Sequence, residues 1–230
     1  MRKKALVCCE ESQRVAKSFR KYGVEAYSCD LIKCSGGHPE IHIICDALKL
    51  INGDCSFITQ DGKKHKIVGK WDILICHPPC TFLSNAGARW LYSGGRLNNK
   101  RYRQGIEAKK FFMQFYNADC NRIVIENPIP SKIFNLPAYN QIIQPYMWRD
   151  YYDENYTKKT CLWLKNVPPL IPDTKYKNSD TVPYITSGSY SVTHDKRYSG
   201  VSLSGGRSIV RSKTFRGIAT AMAMQWSDIL

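Results

Sequence analysis

Two short runs carry residue types that do chemistry together: His77-Pro-Pro-Cys80 and Ile125-Glu-Asn-Pro128. Each follows an apolar stretch, Ile73-Leu-Ile-Cys76 in one case and Ile123-Val-Ile125 in the other. Two consecutive prolines fix the chain and remove two amide donors, so a thiol at position 80 is presented by a stiff loop. Such a thiol is a nucleophile where nearby positive charge favours the thiolate. A carboxylic acid at 126 could hand a proton to a ring nitrogen during that attack. A lone cysteine is most often a buried thiol, so the pair says more than either member. Asp30 and Asp46 also close apolar runs. In open sheets of parallel strands, ligands bind at the carboxyl ends, and an acidic residue ending the second strand is the usual partner of a ribose hydroxyl pair. Asp46, ending the third, could accept from an adenine amine. Together they suggest an adenosine-containing cofactor, although each taken singly is equally a cap or turn aspartate.

These residues need elements to hold them. Ala5-Leu-Val-Cys-Cys9 reads as a buried strand, and Glu11 to Tyr22 as an amphipathic helix with Val15, Phe19 and Tyr22 inward, closed by Gly23. Glu25 to Cys29 returns as a second strand ending at Asp30, a βαβ opening that implies a parallel sheet covered by helices. Ile41 to Cys45 gives a third strand. Asp54 to Lys70 reads as a polar hairpin turning at Asp61-Gly62. Trp71 to Cys76 is a fourth strand, and Gln104 to Tyr116 a helix with Ile106, Phe111, Phe112 and Phe115 inward. Arg122 to Ile125 is a fifth strand, Cys161 to Leu164 a sixth. From Asn166 to about Lys213 proline, serine, glycine and tyrosine dominate, which reads as a loop-rich basic insert with too many tyrosines for a pure linker. Phe215 to Ile229 resumes a helical pattern. The chain thus divides into a core over 1–165, an insert over 166–213 and a returning C-terminal helix over 214–230.

With 230 residues the chain can bury one substantial core. Lys and Arg number 34 against 19 Asp and Glu, a formal charge of +15 that attracts polyanions, nucleic acid foremost. No apolar run approaches a bilayer span, and Met1-Arg-Lys-Lys precedes too short an apolar stretch for a signal peptide, so a cytoplasmic location and no membrane partner are expected. Ten scattered cysteines then read as reduced thiols.

His77-Pro-Pro-Cys-Thr-Phe-Leu-Ser-Asn85 resembles the Pro-Cys nucleophile motif of cytosine-C5 DNA methyltransferases, and Ile125-Glu-Asn-Pro128 resembles the Glu-Asn-Val element of the same family. Their order and their separation of roughly 45 residues suit the comparison. From Cys9-Glu-Glu-Ser-Gln13 to the last helix the chain also looks like short methylase-like proteins of phages and prophages. The resemblance implies an α/β, Rossmann-like, S-adenosylmethionine-dependent methyltransferase, with a mostly parallel sheet and helices on both faces. It implies that Cys80 adds to C6 of a cytosine in DNA, Glu126 holds N3 and the exocyclic amine, and Asn127 supports the loop. Asp30 and Leu31 would face the ribose and adenine of S-adenosylmethionine, Asp46 and Ala47 the adenine, and Pro79 would line the pocket. Phe215-Arg-Gly-Ile-Ala219, with Gly217, stands in the place of the family's final Gly-Asn element. Lys159 of Thr157-Lys-Lys-Thr160 stands for an arginine of its Gln-x-Arg-x-Arg element. A base inside a duplex is out of reach, so such an enzyme flips it out.

The family's glycine-rich first loop is replaced by Cys9-Glu-Glu-Ser-Gln13, which must approach the cofactor by another route. Lys196, Arg197, Arg207 and Arg211 of the insert are expected to carry phosphate contacts. No resident metal is expected: Cys34, His38, His42 and Cys45 are ligand types for zinc, but their spacing matches no standard finger. His77-Pro-Pro-Cys80 also resembles the Asp-Pro-Pro-Tyr motif of amino-methyltransferases, without its acceptor or its aromatic. Two further functions use the same features. One is another pyrimidine modification, on RNA or nucleotide, by the same thiol addition; the other is a non-catalytic DNA-binding pseudoenzyme.

Overall fold

The computed structural model describes residues 2–173, 181–184 and 212–230. Apolar runs of four to six residues make the centre of one seven-stranded sheet. Its strands are β1 (Lys4–Cys8), β2 (Glu25–Asp30), β3 (His42–Ile44), β6 (Ile73–Cys76), β9 (Ile123–Pro128), β10 (Gln141–Ile143) and β12 (Thr160–Lys165). They lie in the order β10-β12-β9-β6-β1-β2-β3. The five from β3 to β9 run parallel, while β12 pairs antiparallel with β9 and β10 antiparallel with β12. The order reverses direction between β1 and β6, which opens a crevice at their carboxyl ends, where this architecture binds ligands. β1, β6 and the first half of β9 are covered on both faces, and their uninterrupted apolar sequence is what such strands require.

Helix α1 (Arg14–Lys21) links β1 to β2, α2 (Asn85–Ala88) follows the proline-cysteine loop, α3 (Asn99–Tyr116) links β6 to β9, and α4 (Arg216–Trp226) comes last. Right-handed crossovers that run in opposite directions from the centre put α1 and α3 on opposite faces. α4 packs beside α1. α1 buries Val15, Ala16 and Phe19, but it ends at Lys21, leaving Tyr22 exposed rather than inward. α3 begins five residues earlier than expected, at Asn99, because the Asn98 side chain caps it by accepting from the Arg101 amide. Phe112 and Phe115 are its buried anchors.

Among the described residues three small ribbons lie outside the sheet. β4 (Ser56–Ile58) and β5 (Lys64–Lys66) form the expected hairpin, with Gly62 at φ 89° in its turn. β7 (Tyr92–Ser93) pairs with β8 (Arg96–Leu97), and β11 (Tyr156–Thr157) with β13 (Val182–Pro183). Trp71, Trp148, Trp163 and Trp226 are fully buried. Each indole donates to a carbonyl in a connecting segment: Leu50, Ile171, Pro137 and Pro168, respectively. A buried indole needs such a partner, so these four rings fasten connections to the core as well as filling it. Two of those carbonyls lie at the start of the 166–213 segment, where Val167 and Leu170 are also buried. Residues 166–173 are therefore fastened to the core through Val167, Leu170 and these two carbonyls. Among the described residues no helix is long and apolar enough to cross a membrane.

Candidate active site

Adjacent strands bring the two motifs together. Cys76 of β6 stands opposite Ile125 of β9, so His77-Pro-Pro-Cys80 leaves its strand beside Glu126-Asn-Pro128, the part of β9 that runs on past the end of β6. The Asn127 amide then donates to the Pro78 carbonyl at 3.0 Å, which ties the two motifs together. Beyond Cys80 the chain turns tightly, with Leu83 and Ser84 amides donating to the Cys80 carbonyl. Ser84 caps α2, while Asn85 donates to the Ile129 carbonyl and Ser131 to that of Leu83. Arg101 from α3 closes the far side: its guanidinium donates to the carbonyls of Thr81 and Gly87 and lies 5.0 Å from the Phe82 ring centre. The half-buried Cys80 is thereby held from both flanks.

Glu126 has a partner that sequence reasoning did not single out. His77 Nδ1 lies 2.8 Å from its Oε2, and the two side chains are only 7% and 12% exposed. Burial pulls the imidazole downward, but the hydrogen bond and charge of Glu126 outweigh it and leave His77 raised. Burial likewise pushes Glu126 up, yet the His77 bond and charge, Lys158 and Thr160 together hold it below the ordinary range. Both shifts favour the charged forms, His77 as imidazolium and Glu126 as carboxylate, each held by the other. In that form Glu126 accepts, and His77 replaces the expected carboxylic acid as holder of the proton. The His77 Nε2 is buried and has no hydrogen-bond partner among the described residues. The available signal was its place, directly before the prolines and after an apolar strand. Lys159, the expected basic residue, is exposed; its neighbour Lys158 is the one whose charge reaches Glu126 and His77.

The glycine-free loop after β1 reaches a glycine-like shape without glycine. Cys9 and Gln13 have φ of 57° and 59°, the left-handed region that side chains ordinarily avoid. The fully buried Gln13 is held there by its own side chain: Nε2 donates to the His38 carbonyl at 2.7 Å and Oε1 accepts from the His38 amide. The Glu10 carboxylate accepts from the Val15 and Ala16 amides, filling the first turn of α1. Burial raises Glu10, opposed by His77 and by those amides. Asp30 and Asp46 stand at their strand ends and both raise the Cys9 thiol, after burial and Cys8, so the three gather around this loop. Each aspartate also caps locally: Asp30 accepts from the Leu31 and Ile32 amides, and Asp46 from that of Leu48. Only one oxygen of each is so engaged, leaving the second with no hydrogen bond among the described residues. Ala47 is buried, whereas Leu31 and Pro79 are exposed.

Gly217 has a packing reason. A Cβ there would lie 2.6 Å from the Trp148 carbonyl oxygen, and its amide donates to Glu154, which caps the start of α4. Cys34, His38, His42 and Cys45 do not assemble, and no group of three metal-binding side chains occurs among the described residues. His42 is buried between Ser28 Oγ and the Ile32 carbonyl. Lys196, Arg197, Arg207 and Arg211 lie outside the described residues. Set against protein-family models and curated proteins, the chain matches none.

Proposed function

We propose that this chain is a methyltransferase that uses S-adenosylmethionine to methylate cytosine C5 in DNA, with Cys80 as nucleophile. The observation that carries the reading is the buried His77–Glu126 pair beside the proline-stiffened Cys80 loop, bound to it through Asn127. Addition of a thiolate to C6 of a pyrimidine needs a donor and an acceptor on the opposite ring edge. Glu126 as a carboxylate accepts from the exocyclic amine, and His77 holds the proton required as negative charge builds on N3. As Sγ bonds to C6, the C5–C6 π electrons shift to C4–C5 and N3 takes the proton, leaving a neutral enamine that is nucleophilic at C5. S-adenosylmethionine, when bound, would supply an electrophilic methyl group for C5 and leave as S-adenosylhomocysteine. Return of the N3 proton to the His77–Glu126 pair and loss of the C5 proton to water let Cys80 leave as a thiolate and restore the ring.

The residues present fit that cofactor. Asp30 and Asp46 each keep one carboxylate oxygen for a hydroxyl or amine, and Cys9 and Gln13 bend the β1–α1 loop as glycines would. One observation favours a non-catalytic DNA-binding protein instead: Glu10 already occupies the α1 amides. A duplex carrying 5-fluorocytosine separates the two, because fluorine blocks the final elimination. Wild type with cofactor should form an adduct that survives denaturing gel electrophoresis, and Cys80→Ala should form none while keeping its fold. An adduct in Cys80→Ala would remove Cys80 from the chemistry.

A further inference from the structure

We propose that the groove between α1, residues 35–41 and the start of α4 is a second contact for duplex DNA, gripping backbone phosphates apart from the Cys80 loop. It takes from the proposed function only that the partner is DNA. The groove encloses about 800 Å3 and is lined by Arg14, Lys17, Arg20, Lys21, Lys213 and Arg216. On α1 the apolar Val15, Ala16 and Phe19 turn inward, so Arg14, Lys17 and Lys21, at helical spacing, share the outward side. From Arg14 to Lys21 the helix rises about 10 Å, roughly three base-pair steps at 3.4 Å each.

Little in the groove neutralises this charge. Arg14, Lys17 and Arg20 donate to the carbonyls of Thr214, Gly36 and Ala26, which aims the cationic heads without cancelling them. Glu40 is the one carboxylate in the described lining, 2.9 Å from His38 Nδ1. Glu11 forms an ion pair with Lys213 at 3.6 Å, so that one cation is partly met. A second feature points to an incoming acceptor. Ser12 lines the same groove, is 6% exposed, and its Oγ has no hydrogen-bond partner among the described residues. A hydroxyl buried without a partner is costly, and a phosphate oxygen would satisfy it. Tyr152 is the only tyrosine, phenylalanine or tryptophan in the described lining. Cations and hydroxyls without a base-stacking platform suit a backbone better than a base.

The test is the salt dependence of affinity for a fluorescent 30-base-pair duplex, from about 50 to 300 mM NaCl. Removing one cation from a phosphate should lower the slope of log affinity against log salt by about 0.9. Lys17→Gln with Lys21→Gln should therefore flatten it by nearly two units and weaken binding about tenfold or more. Lys64→Gln with Lys66→Gln, an equal charge change on the exposed β4–β5 hairpin, should flatten it by less than half as much. Lys21→Gln alone, at an exposed residue, guards against misfolding and should flatten it by about one unit. Ser12→Ala should weaken binding several-fold with little change in slope. Equal effects from both lysine pairs, or none from the groove pair, would overturn the proposal. So would tighter, groove-dependent binding of a nucleoside triphosphate than of the duplex. A wild type that forms the 5-fluorocytosine adduct while ignoring groove changes defeats this inference alone; one that binds no duplex defeats the DNA reading as well.

Discussion

His77 and Glu126 hold each other's charge inside the protein, which makes their contribution depend on pH in a defined direction. His77 is raised above its ordinary 6.5. Its stabilisation is therefore complete below about 6.5 and fades as pH climbs through the raised folded value. Glu126 is lowered below its ordinary 4.5, so its stabilisation is complete above that and is lost as pH falls through the lowered folded value. Both are fully present between roughly pH 4.5 and 6.5. His77→Ala leaves a buried carboxylate without its partner, a loss of about 3–5 kcal/mol. Urea unfolding of wild type and variant should show the largest gap between roughly pH 4.5 and 6.5 and a smaller one on the alkaline side. A gap that does not change with pH would mean that the pair is not ionic. Under the proposed function, the same titration should reduce methyl transfer on the alkaline side, where His77 no longer holds the proton.

At the scale of elements, the β1–α1 loop is where the chain departs most from expectation, and its backbone explains how. A left-handed residue with a side chain costs about 1–2 kcal/mol, here offset at Gln13 by bonds to the His38 backbone on the facing segment. Cys9 makes no such bonds among the described residues. Cys9→Gly should thus regain the conformational cost, while giving up about 0.5–1 kcal/mol of chain entropy and a half-buried thiol. The expected net change in unfolding free energy is within about 1 kcal/mol of zero, measured by urea titration. A loss well beyond that would show that the Cys9 side chain has a packing role that its φ of 57° does not reveal.

For the whole molecule, cofactor binding is the property that distinguishes an enzyme from a binding protein. A ligand that binds only the folded state stabilises it by about 2.7 kcal/mol at a hundred times its dissociation constant. Millimolar S-adenosylmethionine should accordingly raise the melting temperature of the wild-type chain. Asp46→Ala and Asp30→Ala should each weaken the cofactor by about 1–3 kcal/mol through an unpaired donor. Calorimetric titration measures that loss directly. Both aspartates also cap their own loops, so some stability is expected to go with them, about 1 kcal/mol each. Lost stability with unchanged affinity would make them caps alone. No thermal shift, with or without DNA, would favour the non-catalytic reading.

The alternation of apolar runs with amphipathic stretches was enough to specify a mostly parallel α/β sheet and to place Asp30, Asp46, Cys80 and Glu126 at or near strand ends. Those are local properties: a strand buried on both faces must be apolar along its length, and a helix on a sheet must be apolar on one side. β10 escaped notice because three residues at a sheet edge are too few to show a period. The helix of 99–116 shows an apolar period only from Ile106, because its first turn is almost wholly polar. Strand order, and with it the neighbourhood of β6 and β9, is a long-range choice that no local pattern carries. That choice paired His77 with Glu126, selected Lys158 over Lys159, and tied Asn127 to the Pro78 carbonyl. It also assigned Gly217 to packing against the Trp148 backbone. The residue types were legible in the sequence, but their charge states and partners depended on burial, which exists only once the sheet has closed around them.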